Sequence, residues 1–417
     1  MRIKIISLLL LFVFLNFEID LTNIQSLTRI SQGYDEQGGL MIKKQLSISL
    51  KPLDLVSIIC FFLNILNFIR DPKIRLQTKG FYYRVNSILL FTCYTLFFIV
   101  MQDIASTQKL TAILYLGRLF LVLNLYIYFY IYFSKHGTDY VLKNILIYSA
   151  IFSLIGLLSN FGILNSALFV ANRSDYYGLL ILCFIFLLTN YNKKTNSIYI
   201  FTLVVVSLSV LTSGKEGPIL ILLGVLSFMI FKNLQRQLKL TFMALALMSF
   251  CLLIFDGVGA FNSGSVTNPL VGQRTEYADL LRNYNLSFLS LLDASMVERL
   301  AKVILSFTYI IDDFLFGIGF WCSIFIYDFL PDSILQAFLE LGLIGILLFI
   351  RIFRNFDLHQ MDKQKSTKGF RLITIFILLA GVSFNVFYSF QIITMLCVIL
   401  AYSDFHSSSG NKGISFK

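Results

Sequence analysis

The apolar residues of this chain form long unbroken runs separated by polar intervals. We identify twelve runs, at residues 3–19, 53–69, 85–101, 110–133, 144–158, 176–189, 198–212, 218–231, 240–255, 334–350, 372–387 and 391–401. Most of them approach the ~20 residues that an α-helix needs to cross ~30 Å of hydrocarbon. In lipid each segment must satisfy its own backbone hydrogen bonds, so these runs predict helices. The pattern predicts an all-α polytopic membrane protein of about twelve transmembrane helices, with residues 1–417 in one integral membrane domain.

One polar interval, residues 256–333, is much longer than the others. It opens with small residues, which favour a loop. Ser295 and Glu298 then have the spacing of a capping box, and apolar residues follow at helical intervals as far as Ile311. The interval therefore predicts a large loop that contains an amphipathic helix lying on the membrane surface.

The first run begins at the basic residues Arg2 and Lys4, as the apolar part of a signal peptide would. No cleavage site of the small-x-small type follows Phe17. We therefore expect the run to be retained as the first transmembrane helix.

Composition agrees with a membrane protein, and the distribution of charge predicts how the chain is oriented across the membrane. Only 14% of the residues are charged, against about 25% in soluble domains. With both termini placed in the cytoplasm, 22 of the 34 lysines and arginines lie in cytoplasmic segments and 11 in external loops. This bias follows the positive-inside rule and places the 256–333 loop outside. The net charge of +11 therefore reflects orientation and contact with anionic headgroups, and it is not evidence of nucleic-acid binding.

Histidine is absent from the predicted external side, and no grouping of cysteines or acidic residues there is typical of a metal site. The three histidines, His136, His359 and His406, all fall in cytoplasmic segments. The six cysteines have no paired spacing and are interpreted as small apolar residues, and no Asp-x-Asp cluster is present. We therefore expect no metal and no cofactor.

Four basic residues lie at or below the predicted external surface: Arg118, Arg173, Lys215 and Arg299. Arg118 is the deepest, on the order of 12 Å inside the fourth run, where a guanidinium costs at least ~2.5 kcal/mol. It should face a polar cavity, an anion or a structural carboxylate partner. Lys215 lies in a tight external turn and Arg173 at the edge of the sixth run, where a solvated turn and an interfacial anchor are the simpler roles. Arg299 lies in the opening turn of the amphipathic helix.

Two carboxylates flank the start of the tenth run. Asp332 lies just before Ser333, which has capping-box spacing to Gln336, and Glu340 lies ~10 Å further along the helix. Gln336 and Glu340 are four residues apart, so they should share one helix face. A carboxylate at this depth is protonated, paired with a basic group or exposed to a hydrated cavity, and helix packing is the simpler alternative.

Several of these segments resemble a known family when taken together. They are Thr212-Ser-Gly-Lys-Glu-Gly217, Ser295–Arg299, Phe316-Gly-Ile-Gly319, and Pro331-Asp-Ser-Ile-Leu-Gln336 with Glu340-Leu-Gly-Leu-Ile-Gly345. Their order and their positions around one large external loop are similar to those of bacterial O-antigen polymerases and O-antigen ligases. The resemblance covers roughly residues 110–350.

The resemblance implies a glycosyltransferase that uses undecaprenyl-diphosphate-linked oligosaccharide at the outer face of the bacterial cytoplasmic membrane. It also implies a flippase and a chain-length regulator as partners. Transfer leaves a diphosphate whose developing charge can be stabilised by Arg118, Lys215, Arg299 and Arg173 without a metal. Glu340 or Asp332 is then the candidate base for the acceptor hydroxyl.

Two other functions stay open beside polymerisation. The ligase branch of the family has a histidine where this chain has Asp332, so the resemblance favours the polymerase branch. A flippase or other transporter would also be a basic multi-helix bundle with intramembrane charges. Transporters usually show related halves and short loops, whereas this chain has one dominant loop and no detectable repeat.

Overall fold

The computed structural model describes eleven stretches of the chain and three further residues. They are residues 2–14, 29–34, 40–45, 52–70, 79–164, 173–190, 197–213, 216–231, most of 307–323, 333–353 and 389–410, with Ile373, Phe376 and Ile377. The predicted run 240–255, all but three residues of the run 372–387 and most of the 256–333 interval lie outside them. The number of spans and the external loop therefore stay predictions.

The described residues include ten α-helices and one hairpin. The helices are α1 (Arg2–Phe14), α2 (Pro52–Arg70), α3 (Lys79–Met101), α4 (Ser106–His136), α5 (Asp139–Asn160), α6 (Arg173–Asn190), α7 (Ser197–Leu211), α8 (Glu216–Phe231), α9 (Ser333–Phe353) and α10 (Phe390–Gly410). Strands β1 (Arg29–Tyr34) and β2 (Leu40–Gln45) pair antiparallel, with Arg29 opposite Gln45. The hairpin lies between α1 and α2, outside every predicted run, so the helical class holds for the apolar runs that the structure describes.

Within the described part of the chain, five helical stretches are long and apolar enough to cross a membrane. They are Pro52–Arg70, Phe81–Met101, Gln108–His136, Asp139–Asn160 and Leu335–Phe353. The remaining predicted runs that fall on described residues are shorter apolar helices. Many leucine, isoleucine and phenylalanine side chains of α2 and α3 are exposed, as expected where a helix faces lipid. The structure thus agrees with an integral membrane protein.

Two ion pairs mark opposite ends of the bundle. Asp54, at the start of α2, pairs with Arg118 in the first half of α4, and the Arg118 guanidinium lies 4.8 Å from the ring of Phe390 at the start of α10. We call this the Asp54 end. Arg84, near the start of α3, pairs with Asp404 near the end of α10. We call this the Asp404 end. Helices α2, α4 and α10 therefore run in one direction and α3 runs in the other, in agreement with the alternation that the runs predict.

The Asp404 end is held by a buried network that joins four helices. Arg84 is 2% exposed, and its Nη2 donates to Asp404 Oδ1 at 2.8 Å. Its Nη1 donates to the carbonyl of Ile352 in the last turn of α9, at 2.6 Å. Tyr126 of α4 donates its hydroxyl to Asp404 Oδ2 at 2.8 Å. Both charges are therefore compensated, as burial in an apolar bundle requires.

Helix α9 is broken at Gly342, which has a φ of +62°. The break is filled by residues 313–323, which we call the inserted turn. Four backbone hydrogen bonds join them: Ile318 N to Leu339 O (3.0 Å), Gly319 N to Glu340 O (2.8 Å), Leu343 N to Phe314 O (2.8 Å) and Ile344 N to Leu315 O (3.1 Å). Tyr94 of α3 also donates its hydroxyl to Phe316 O at 2.8 Å. The inserted turn thus supplies the partners that the interrupted helix lacks.

Only glycines fit where the inserted turn crosses the break. Gly317 has a φ of +68°, and a Cβ added there would lie 2.6 Å from Glu340 O. A Cβ added at Gly342 would lie 2.7 Å from Leu315 O. Both positions combine a left-handed backbone with direct contact between two main chains, so glycine is required for conformational and for steric reasons.

We expect Gly317→Ala and Gly342→Ala each to lower the thermal unfolding midpoint of the purified protein in detergent. A left-handed alanine costs about 1–2 kcal/mol, and the overlap with the facing main chain adds to that cost. Gly117→Ala is the matched control, because Gly117 lies on α4 with nothing within 4 Å of an added Cβ. If both variants unfold at the temperature of the control, the crossing is not a constraint on the fold.

Candidate functional site

Glu340 is the central group of the candidate site. It lies two residues before the break in α9 and is 1% exposed. Gln336 donates its Nε2 to Glu340 Oε1 at 3.1 Å, which confirms that these two residues share a helix face. Because the break brings the inserted turn against this part of α9, the carboxylate reaches across to the turn.

The inserted turn supplies two more donors to the same carboxylate. Ser323 donates its hydroxyl to Oε1 at 2.5 Å, and the backbone N–H of Trp321 donates to Oε2 at 2.7 Å. With Gln336, three neutral donors among the described residues therefore hold Glu340. The arrangement fastens the inserted turn to α9 through a side chain, in addition to the backbone hydrogen bonds at the break.

Trp321 has an unusual backbone conformation. Its φ is +63°, the only positive value among the described residues other than glycine. Such a conformation costs of order 1–3 kcal/mol and persists only where the surroundings hold it. Two contacts do so here: the hydrogen bond to Glu340 and a stacked contact with the ring of Tyr115, with ring centroids 4.3 Å apart and planes 20° apart.

Tyr115 links this cluster to the ion pair of the Asp54 end. It lies on α4 three residues before Arg118, so the two side chains are neighbours on the helix surface. Arg118 donates from Nε and Nη2 to the two carboxylate oxygens of Asp54, at 2.6 and 2.5 Å. Of the described residues, none accepts a hydrogen bond from Nη1 of Arg118. The structure therefore contains the carboxylate pair that the sequence left as one alternative, and diphosphate binding by Arg118 stays a prediction.

A second cation lies near the cluster. Lys109, in the first turn of α4, donates its Nζ to Val100 O at 2.9 Å, near the end of α3. Burial raises the pKa of the Cys322 thiol to about 12; the Glu340 carboxylate adds to this shift, and the Lys109 ammonium opposes it. Cys322 therefore lies within electrostatic range of both charges.

The structure does not describe the side chains of the other predicted site residues. Asp332, Lys215 and Arg299 lie outside the described residues, and Arg173 begins α6 without a described side chain. Within the described part of the chain, no group of three or more His, Cys, Asp or Glu residues could hold a metal ion. A small cavity lined by Asn67, Tyr128, Ile131, Tyr132 and His136 lies at the Asp404 end, away from these residues.

Five residues of this cluster were not predicted from the sequence: Asp54, Lys109, Tyr115, Trp321 and Ser323. Asp54 had a signal, since it is a carboxylate at the edge of an apolar run, opposite in charge to Arg118. Trp321 is the only tryptophan in the chain and follows the Phe-Gly-Ile-Gly-Phe motif directly. Nothing in the sequence indicated a role for Lys109, apart from its position directly before the fourth run.

Comparison of the chain with protein-family models, with curated proteins and with solved structures finds no match. The resemblance to O-antigen polymerases and ligases therefore rests on the short motifs and their order.

We expect Asp54→Asn to lower the thermal unfolding midpoint of the purified protein, because it leaves the Arg118 charge without its carboxylate. Breaking a buried pair costs about 3–5 kcal/mol. Asp54→Arg combined with Arg118→Asp rebuilds the pair and should recover much of that loss. A single variant as stable as the wild type would show that the pair does not contribute to folding.

Proposed function

We propose that this protein is a polysaccharide polymerase of the bacterial cytoplasmic membrane, acting on O-antigen, capsule or exopolysaccharide units. In this proposal it transfers a lipid-diphosphate-linked glycan onto a lipid-linked repeat unit at the outer face of the membrane, with both termini in the cytoplasm. A flippase that delivers the units and a regulator of chain length are the implied partners.

One observation carries the proposal. Two of the motifs that resemble the family, Phe316-Gly-Ile-Gly319 and Glu340-Leu-Gly-Leu-Ile-Gly345, contact each other through the backbone bonds at the break. They are separated along the chain, and nothing in their spacing requires them to meet. Their contact, next to a buried carboxylate and near Arg118, supports the view that they belong to one functional site.

The charges support an anion site for the leaving group. Asp54 engages Nε and Nη2 of Arg118 and so orients the guanidinium, while Nη1 donates to none of the described residues and could bind an oxyanion. Lys109 lies earlier on the same helix, within electrostatic range of Cys322, and the predicted cations Lys215, Arg299 and Arg173 would complete the set. Charge-assisted hydrogen bonds of this kind stabilise a diphosphate as its bond to the sugar breaks.

The reaction needs one proton acceptor. The acceptor hydroxyl oxygen forms a bond to the anomeric carbon of the donor, the bond from that carbon to the diphosphate oxygen breaks, and lipid diphosphate departs. The hydroxyl proton passes to a carboxylate. Because Trp321, Ser323 and Gln336 all donate to Glu340, its described geometry favours a positioning role, and Asp332 is the stronger candidate for the base.

A transporter is the second candidate, and one observation favours it. Broken helices with functional groups at the break are typical of substrate sites in secondary transporters. Helix α9 has this form at Gly342. The O-antigen ligase is a third candidate, disfavoured by Asp332 in place of the family histidine.

Deletion of the gene should separate these functions in one gel of surface polysaccharide. A polymerase predicts loss of the ladder, with a single repeat unit still attached to the final carrier. Accumulation of long lipid-linked polymer without surface attachment would indicate a ligase. Unpolymerised units retained on the cytoplasmic side would indicate a transporter, and either result would contradict the proposal.

In the complemented deletion strain, Arg118→Ala and Arg299→Ala should reduce polymerisation on the order of 10²-fold, the usual effect of removing one donor to a developing oxyanion. Arg70→Ala is the matched control, because Arg70 is an exposed arginine at the end of α2. Protein level and thermal midpoint should be measured for each variant, since Arg118 also pairs with Asp54. Full ladders from both variants would remove the proposed anion site.

The two carboxylates can be separated by their amides. Asp332→Asn should abolish the ladder at normal protein level if Asp332 is the base. Glu340→Gln should retain partial activity, since the amide oxygen can still accept from Trp321 or Ser323. The reverse pattern, with Glu340→Gln inactive and stable, would assign the base to Glu340.

A further inference from the structure

We infer that Trp321, with Tyr115 stacked against it, is a binding platform for a neutral sugar ring next to the anion site. The inference rests on the proposed function and deepens it, because it assigns a subsite to the sugar part of the lipid-linked substrate. Three features carry it: the position of the indole, its backbone conformation and the chemistry of the aromatic pair.

The position of Trp321 is suited to a ligand. The residue is half-buried at the Asp54 end, where the inserted turn contacts α4 through Tyr115. Tyr115 covers one face of the indole and lies one turn before Arg118 on α4. A sugar in contact with the aromatic pair would therefore lie beside the guanidinium, which is the arrangement that a sugar diphosphate requires.

The backbone of Trp321 is held at a cost that packing alone does not explain. An indole can fill space from an ordinary conformation, whereas this one has a φ of +63°. Glu340 accepts the N–H of Trp321 at 2.7 Å, and Gln336 and Ser323 in turn fix Glu340. Residues held in such conformations cluster at ligand sites, where a fixed orientation is useful before the ligand arrives.

The chemistry of the pair fits a sugar. Tyrosine and tryptophan combine a rigid apolar ring with a polar group and lose little conformational entropy on binding. A pyranose ring has the complementary form, with an apolar face of C–H groups and a rim of hydroxyls. The charged part of the substrate would meet Arg118, so the platform itself needs no charge.

Trp321 also provides the measurement, since it is the only tryptophan among the 417 residues. We would titrate the purified full-length protein in detergent with glucose, galactose, N-acetylglucosamine and rhamnose, and follow tryptophan emission under selective excitation. At least one sugar should produce a saturable change. Sorbitol is the matched chemical control, because it carries similar hydroxyls without a ring face. Inorganic diphosphate tests the neighbouring anion site.

A ring-specific response distinguishes the platform from general solvation by polyols and from the anion site. Saturable change with a sugar and none with sorbitol supports the inference. No change with any sugar, equal change with sorbitol, or change with diphosphate alone would overturn it. Tyr115→Leu should weaken the sugar response by roughly threefold to tenfold, the usual worth of one aromatic contact, and Tyr115→Phe should preserve it.

The platform and the polymerase can fail independently. If deletion of the gene leaves the ladder intact while sugar still changes the emission, the protein binds sugar but is not the polymerase. Suppose instead that deletion removes the ladder, that Trp321→Leu supports a full ladder, and that no sugar changes the emission of the wild-type protein. The proposed polymerase function is then supported and the sugar platform is rejected. Trp321→Phe should keep partial polymerisation, with its thermal midpoint measured to exclude loss of folding.

Discussion

The geometry of the candidate site depends on which groups replace the backbone hydrogen bonds that α9 loses at its break. A peptide group without a partner in hydrocarbon costs several kcal/mol, so a helix can be interrupted there only where other protein groups replace its hydrogen bonds. The inserted turn does this from both sides of Gly342, with donors to the first half of α9 and acceptors for the second. This requirement forces the turn into close contact with α9. This contact brings Trp321 and Ser323 to Glu340. The position of the candidate site therefore follows from the replacement of the hydrogen bonds that the helix lost.

Charge compensation fixes the bundle around this break. Arg84 with Asp404 joins α3 to α10 at one end, and Arg118 with Asp54 joins α4 to α2 at the other. Because an unpaired charge is far more costly than a paired one in an apolar setting, each pair restricts which helix ends can be neighbours. The pairs differ in their surroundings. Arg84 also reaches the Ile352 carbonyl, whereas Nη1 of Arg118 bonds to no described residue, and this difference suits a structural role for the first and a binding role for the second.

The cluster at the Asp54 end is arranged in layers of support. Gln336 and Ser323 hold Glu340, Glu340 holds Trp321, and Tyr115 stacks on Trp321 one turn before Arg118. Each side chain in this series is oriented by a hydrogen bond or a stacking contact with the preceding one. A site held in this way does not need to rearrange when its ligand binds. Glu340 thus acts through Trp321. An aromatic platform beside an oriented guanidinium matches a ligand that has a neutral ring and a charged diphosphate.

Local pattern in the sequence was sufficient for the properties that depend on neighbours along the chain. The apolar runs indicated the helices, and four-residue spacing placed Gln336 and Glu340 on one face. The same pattern did not reveal the break at Gly342, since an apolar run with a glycine is compatible with a continuous helix. The local pattern also could not predict the partners of Arg118, Arg84 and Glu340. Asp54 is 64 positions from Arg118 and Asp404 is 320 from Arg84, so only the packing of helices decides that these charges meet. Hydropathy is a property of each segment, whereas ion pairs and inserted turns are properties of which segments become neighbours.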